Sequence, residues 1–370
     1  MIEPPTTTSK ISALEGLRGA MCWWVLFGHA SLAFGWHLPL IEQNHLAVDV
    51  FVILSGFVIT RLILRKHEPY GIYITRRAFR IFPLYLVALA VSALLLPVQF
   101  AAWEAVATET AANANRLALV ETALSNLPAH LAAHIPLTQG VIPNAVMAQS
   151  AYTIIGQAWS VSLEWQFYIL APFLVWSLLD WRRLPMSVGL AVLLWLAAPP
   201  FSEAFLGAKL ALFLVGICSY FAVEHTARKP VWIAATMAVA AIAVVQDSPI
   251  LLIALAIWGA TLVSVAAPSA TPVHALARVL GTRTATHFGE ISYSLYLVHM
   301  IPLYTSIYVL TRIGLSGMVM ELMAFAITVL GSYWLARATH AYVEKPGIDF
   351  GAKVTRGAPK AGRAVQSAAK

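Results

Sequence analysis

Charge is what this sequence has least of. Only 11% of its 370 residues are Asp, Glu, Lys or Arg, while 59% are hydrophobic. Soluble domains carry roughly 25% charged residues. So few charges cannot cover a globular surface that faces water, but they suit a surface that faces lipid. Cysteine is almost missing as well. Cys22 and Cys218 are the two in the chain, and each lies inside an apolar run. That argues against a disulfide framework or a metal site and for two buried thiols. Internal repeats and low-complexity blocks are absent. No cleavable leader is expected. The start is polar, and the first apolar run carries Glu15, Arg18 and His29, as a retained first span would.

What the chain has instead is a series of long hydrophobic runs. A bilayer core of about 30 Å needs about 20 mostly apolar helical residues. Runs near 13–34, 47–65, 79–97, 160–179, 187–200, 208–224, 231–246, 249–266, 290–311 and 319–338 meet that need, the fifth being short and ending at Pro199-Pro200. With these spans, all of the 24 Lys and Arg except Arg116, Lys209 and Arg312 fall at the N-terminus, in alternate loops or in the C-terminal tail. Basic loops face the cytoplasm. We therefore expect an all-α polytopic membrane protein of about ten transmembrane helices in one bundle, both termini cytoplasmic. Residues 1–12 would form a short cytoplasmic segment and 13–346 the membrane domain. Residues 347–370 would form a basic, disordered cytoplasmic tail able to touch anionic lipid. The long stretch 98–158 falls on the opposite side and contains a possible surface helix at 103–127. It reads equally as a plain connector or as a lid over an acceptor.

Polar groups at membrane depth are costly and mark function by default. Arg18 and His29 are eleven residues apart, which returns to nearly the same helix face and spans about 16 Å. Arg76 and Arg80 share a face at the cytoplasmic start of the third span, with Arg77 beside them. Clustered Arg suits bidentate phosphate recognition, which points to a phosphate-bearing ligand from the cytosol. Glu164 lies about one turn inside the outer boundary of the fourth span and could meet His29 at similar depth, as a carboxylate orienting a general base. Asp49, Ser55 and Ser160 are further candidate polar positions. So are Tyr296 and His299 of the ninth span, which equally suit hydrogen-bonded packing.

In order along the chain, these blocks resemble the acyltransferase 3 family of membrane-bound O-acyltransferases. They run from Leu14-Glu15-Gly16-Leu17-Arg18-Gly19 with His29, through Val48-Asp49-Val50-Phe51 and Leu54-Ser55-Gly56-Phe57. Arg76-Arg77 with Arg80-Ile81-Phe82-Pro83 follows, then Trp159-Ser160 with Glu164-Trp165-Gln166-Phe167-Tyr168. The last are Ser292-Tyr293-Ser294-Leu295-Tyr296 with His299, and Glu344-Lys345-Pro346. Glu15 stands where Asp is usual, and Val298 where Trp is common. The resemblance implies a bacterial inner-membrane enzyme that takes an acyl group, usually acetyl, from cytosolic acyl-CoA. The acceptor would be a carbohydrate or glycolipid on the outer side, such as surface polysaccharide or O-antigen. It implies His29 as the catalytic histidine, with Glu164 at the family's acidic position. Arg18 would be the partner of His29, and Arg76, Arg77 and Arg80 a CoA-side cluster. Acyl-CoA would be a donor substrate rather than a bound cofactor. No tightly bound cofactor, metal, nucleic-acid partner or fused hydrolase-like domain is expected. Direct transfer and an acyl-enzyme relay are both open. A transporter or flippase of a lipid-linked glycan is the rival class, but the paired inverted halves it predicts are not evident.

Overall fold

The computed structural model describes residues 7–224, 228–269 and 271–356, and among these all regular structure is helical. In chain order the α-helices are α1 (Thr7–Phe34), α2 (Asn44–Lys66), α3 (Tyr70–Leu94), α4 (Leu96–Val106), α5 (Ala111–Ser125) and α6 (Leu127–His134). Then come α7 (Trp159–Leu178), α8 (Leu184–Ala197), α9 (Leu206–Glu224), α10 (Lys229–Gln246) and α11 (Leu251–Ala266). The last are α12 (Ala275–Leu280), α13 (Arg283–Glu290), α14 (Ser292–Val298), α15 (Met300–Arg312), α16 (Gly317–Thr339) and α17 (Lys345–Val354).

Seven segments among the described residues are long and apolar enough to cross a bilayer. They are α2, α3, α7 with the turn before it (Gly156–Leu178), α9, α10, Ser292–Arg312 and Gly317–Val354. α8 and α11 are shorter apolar helices, and α1 is interrupted by Glu15, Arg18 and His29. α14 and α15 form one crossing with a break at His299. Pro302 explains the break, because its ring clashes with the carbonyl four residues earlier, that of Val298.

Burial separates the centre of the bundle from its rim. The apolar window of α9 is 83% buried and that of α10 only 6%, so α9 is a core helix while α10 presents its side chains outward. Leu193, Met237, Val245, Leu330 and Trp334 are among the large apolar groups left exposed, as lipid-facing surfaces require. At the centre, small residues allow close helix crossings. A Cβ on Gly56 would sit 2.2 Å from the Phe213 carbonyl oxygen, and one on Gly216 would sit 2.0 Å from that of Ile53. α2 and α9 therefore touch backbone to backbone. α1 meets α13 in the same way, where a Cβ on Gly289 would reach the Glu15 carbonyl oxygen at 2.1 Å.

Two sequence expectations need correction. The stretch 98–158 is neither a bare connector nor a single helix at 103–127. It folds as α4, α5 and α6, broken where Thr110 caps α5 by accepting the Asn113 amide at 3.1 Å. α4 packs on α15, and α5 packs on both α4 and α1. The segment from 347 is not disordered throughout. α17 continues to Val354 and lies against α3, with the Phe79 and Phe350 rings 5.2 Å apart. Residues 357–370 fall outside the described residues.

Replacing Gly56 with Leu should force α2 and α9 apart and cost about 1–3 kcal/mol. A lowered thermal midpoint in detergent would show it. Gly189→Ala on α8, where nothing lies within 4 Å, should leave the midpoint unchanged.

Candidate active site

Two cavities lie along α1. The first, of about 140 Å³, is lined by Arg18, Ser55, Arg77, Arg80, Ser160, Glu164, Tyr168 and Tyr293. The second, of about 290 Å³, is lined by His29, Arg116, Trp103, Tyr152, Trp159 and Tyr304 among others. Val48 and Tyr296 line both. The Tyr296 hydroxyl donates to the Gln157 carbonyl at 2.9 Å and lies 2.7 Å from the Ser160 hydroxyl. Tyr296 therefore forms a tied partition between the two spaces.

The arginines at the first cavity differ in how they are paired. Arg18 pairs with Glu15 at 2.9 Å and donates to the Ser292 hydroxyl at 2.8 Å and the Gly289 carbonyl at 2.7 Å. Arg80 forms an ion pair with the buried Glu344. Glu344 also accepts from Ser294 at 2.5 Å and lies 3.0 Å from His340. Arg76 pairs with Glu68 and donates to Thr355 at 2.8 Å, and it does not line the cavity. Arg77 lines it, has no ion pair among the described residues, and its buried Nε has no hydrogen-bond partner. Its guanidinium lies 5.8 Å from the centre of the Tyr168 ring. The expected cluster is thus two structural ion pairs, at Arg76 and Arg80, and one cation available to a ligand.

At the second cavity the Arg116 guanidinium donates to the His29 carbonyl at 3.1 Å and lies 3.4 Å from His29 Nδ1. It also donates to Asn113 at 3.1 Å and sits 4.9 Å from the centre of the Trp103 ring. Asn113 in turn donates to the Ala33 carbonyl at 2.8 Å. These contacts dock α5 onto the end of α1. The His299 ring centroid is 5.2 Å from that of His29.

Glu164 does not hold His29. No hydrogen bond or ion pair joins them among the described residues. One oxygen of Glu164 accepts from Ser55 at 2.9 Å and from Tyr168 at 2.6 Å, so the carboxylate belongs to the arginine-lined cavity. Depth along two helices can be estimated from sequence, but the direction each face points cannot. Asp49 lines neither cavity. It is buried against Lys209 at 3.2 Å, which also reaches Asp247 at 2.5 Å. Arg116 and Glu344 were not among the sequence candidates. The signal for Arg116 was its isolation, one of three cations outside the basic loops. Glu344 was visible as part of the final motif block.

Long apolar helices around two cavities that meet at Val48 and Tyr296 define a multi-pass membrane protein. Residues 11–337 match the acyltransferase domain of the acyltransferase 3 family. The chain belongs to that family. Among curated proteins it is 33% identical over 178 residues to one from Komagataeibacter xylinus named as the membrane-bound transacylase BcsY, covering 47% of this chain and 40% of that protein. It is 37% identical over 84 residues to protein 2 in the picA locus of Rhizobium radiobacter, covering 22% of this chain and 42% of the relative. The chain thus spans less than half the length of either. No solved structure matches.

Breaking the Arg80–Glu344 pair by Arg80→Met should destabilise the protein by about 3–5 kcal/mol, because it leaves a carboxylate buried without its cation. The double change Arg80→Met with Glu344→Leu should cost less than that single change. Thermal midpoints of the variants, compared as a double-mutant cycle, check this.

Proposed function

We propose that this protein transfers an acyl group, acetyl in the first instance, from acyl-CoA to a hydroxyl of a carbohydrate or glycolipid across a bacterial inner membrane. The observation that carries the reading is the pair of cavities meeting at Val48 and Tyr296, one lined by arginine and the other by histidine and aromatic rings. About ten spans, with α1, α8 and α11 crossing beside the seven long segments, would place the basic loops and both termini in the cytoplasm.

On this reading CoA phosphates approach the arginine side, where Arg77 supplies an uncompensated cation. Trp103, Trp159 and Tyr304 offer flat apolar faces and polar edges to a sugar in the second cavity. His29 accepts the proton of the acceptor hydroxyl as its oxygen attacks the thioester carbon. The carbonyl oxygen gains negative charge, which the Arg116 guanidinium beside His29 can stabilise. Collapse breaks the carbon–sulfur bond, and the CoA thiolate takes the proton held by His29. The ester and free CoA are the products. Direct transfer of this kind needs no covalent intermediate on the enzyme.

The test is release of CoA thiol by purified protein supplied with acetyl-CoA and candidate glycans, with mass analysis of the acetylated product. His29→Ala should lower kcat by about 10²–10⁴-fold. Full acetylation by that variant would sink the reading. Arg77→Gln should raise KM for acyl-CoA by about 10–100-fold, since a charge-assisted contact contributes about 1.5–3 kcal/mol. Arg76→Gln, outside the cavity, should leave that KM unchanged.

A further inference from the structure

We propose that Val48 and Tyr296 form a fixed aperture that selects the donor by acyl size, passing acetyl and turning away longer chains. This rests on the reading that the first cavity takes the donor and the second the acceptor.

The two side chains hold a position that no other group around the cavities shares. Arg77, Arg80 and Glu164 line the first cavity alone, and His29 and Arg116 the second alone. Val48 on α2 and Tyr296 on α14 line both. The acyl end of a donor whose phosphates lie at Arg77 therefore comes to His29 past Val48 and Tyr296. Both side chains are buried, at 5% and 7% exposure.

Both walls of this passage are held in place. The Tyr296 hydroxyl donates to the Gln157 carbonyl at 2.9 Å and lies 2.7 Å from the Ser160 hydroxyl. The Gln157 side-chain amide donates back to the Leu297 carbonyl at 2.7 Å, so α14 and the start of α7 are tied twice. The Tyr296 ring meets Phe51 edge-on, with 6.0 Å between centroids and 72° between planes. Tyr293, on the same helix, donates to the Ile81 carbonyl at 2.7 Å. On the other wall, Val48 is β-branched and has little χ1 freedom on a helix. Its helix is pinned to α9 by the backbone contact at Gly56. Close-packed walls of this kind do not yield to extra carbons without cost.

The result is a test of volume. Neither side chain carries a charge, so what distinguishes one acyl group from another here is length and bulk. A hydrophobic wall that meets one additional methylene discriminates by about 10–200-fold. Acetyl extends one carbon beyond the thioester carbon, propionyl two and butyryl three. The CoA portion stays on the arginine side, so the limit acts on the acyl chain alone.

The experiment measures kcat/KM for acetyl-CoA, propionyl-CoA and butyryl-CoA, by release of CoA thiol, with an acceptor glycan that the unmodified enzyme acetylates. The ratio of two such constants from one preparation does not depend on the fraction of protein that is folded. The unmodified enzyme should favour acetyl over propionyl by about 10–200-fold. Val48→Ala should raise the propionyl-to-acetyl ratio by about tenfold or more, and Val48→Ile should lower it. Val52→Ala, one turn along α2 and lining the first cavity alone, should leave the ratio within about twofold. Equal use of butyryl-CoA and acetyl-CoA by the unmodified enzyme would overturn the proposal. So would an unchanged ratio in both Val48 variants, or the same rise in Val52→Ala as in Val48→Ala. Absence of CoA release from every acyl-CoA would instead sink the transferase reading itself.

Discussion

An ionised side chain inside a bilayer must be paired or must face something that will pair it. The arrangement of this protein follows from that constraint. Glu344 ties the end of α16 to α3 through Arg80 and to α14 through Ser294. Lys209 binds Asp49 and Asp247, joining α2, α9 and the turn after α10. Arg18 is held between Glu15 and the α13–α14 corner. Once these are accounted for, the arginines lining these two cavities that have no carboxylate partner among the described residues are Arg77 and Arg116. Each marks a place where negative charge from outside the protein, or from the reaction itself, can be received.

Packing decides where those two places lie. The glycine contacts between α2 and α9 and between α1 and α13 bring backbones together and leave polar side chains to line the spaces beside them. The Pro302 break in the α14–α15 crossing sets His299 next to His29, and Tyr296 lies one turn earlier on the same element. The same short stretch of chain thus supplies the partition between the cavities and the neighbour of the candidate base. The segment between α3 and α7 lines the second cavity with Trp103 and Arg116.

Much of this was legible in the residues. The scarcity of charge, the apolar runs and the ordered motif blocks pointed to a helical membrane protein of the acyltransferase 3 family. Arg18, Arg77, Arg80, Ser55, Ser160, Glu164 and Tyr296 do gather at one cavity. The pairing of Glu164 with His29 was not recoverable, because hydropathy reports depth along a helix and not the neighbour that its face meets. Arg76 and Arg80 looked alike by spacing, yet Glu68 and Glu344 neutralise them and leave Arg77 free. Asp49, read as a candidate polar site, proved to be the partner of Lys209, 160 positions further along the chain.

By itself, then, the sequence determined the solvent of this protein, the helical character of its segments and its family. Those properties depend on composition and on neighbours within a few turns. The tertiary structure decided which arginine at the first cavity is left without a carboxylate, which ring lies beside His29, and that Arg116 from a separate segment lines the second cavity. These depend on contacts between residues as far apart as Arg18 and Ser292. Such contacts are set by how helices cross and rotate against one another, which no local pattern encodes.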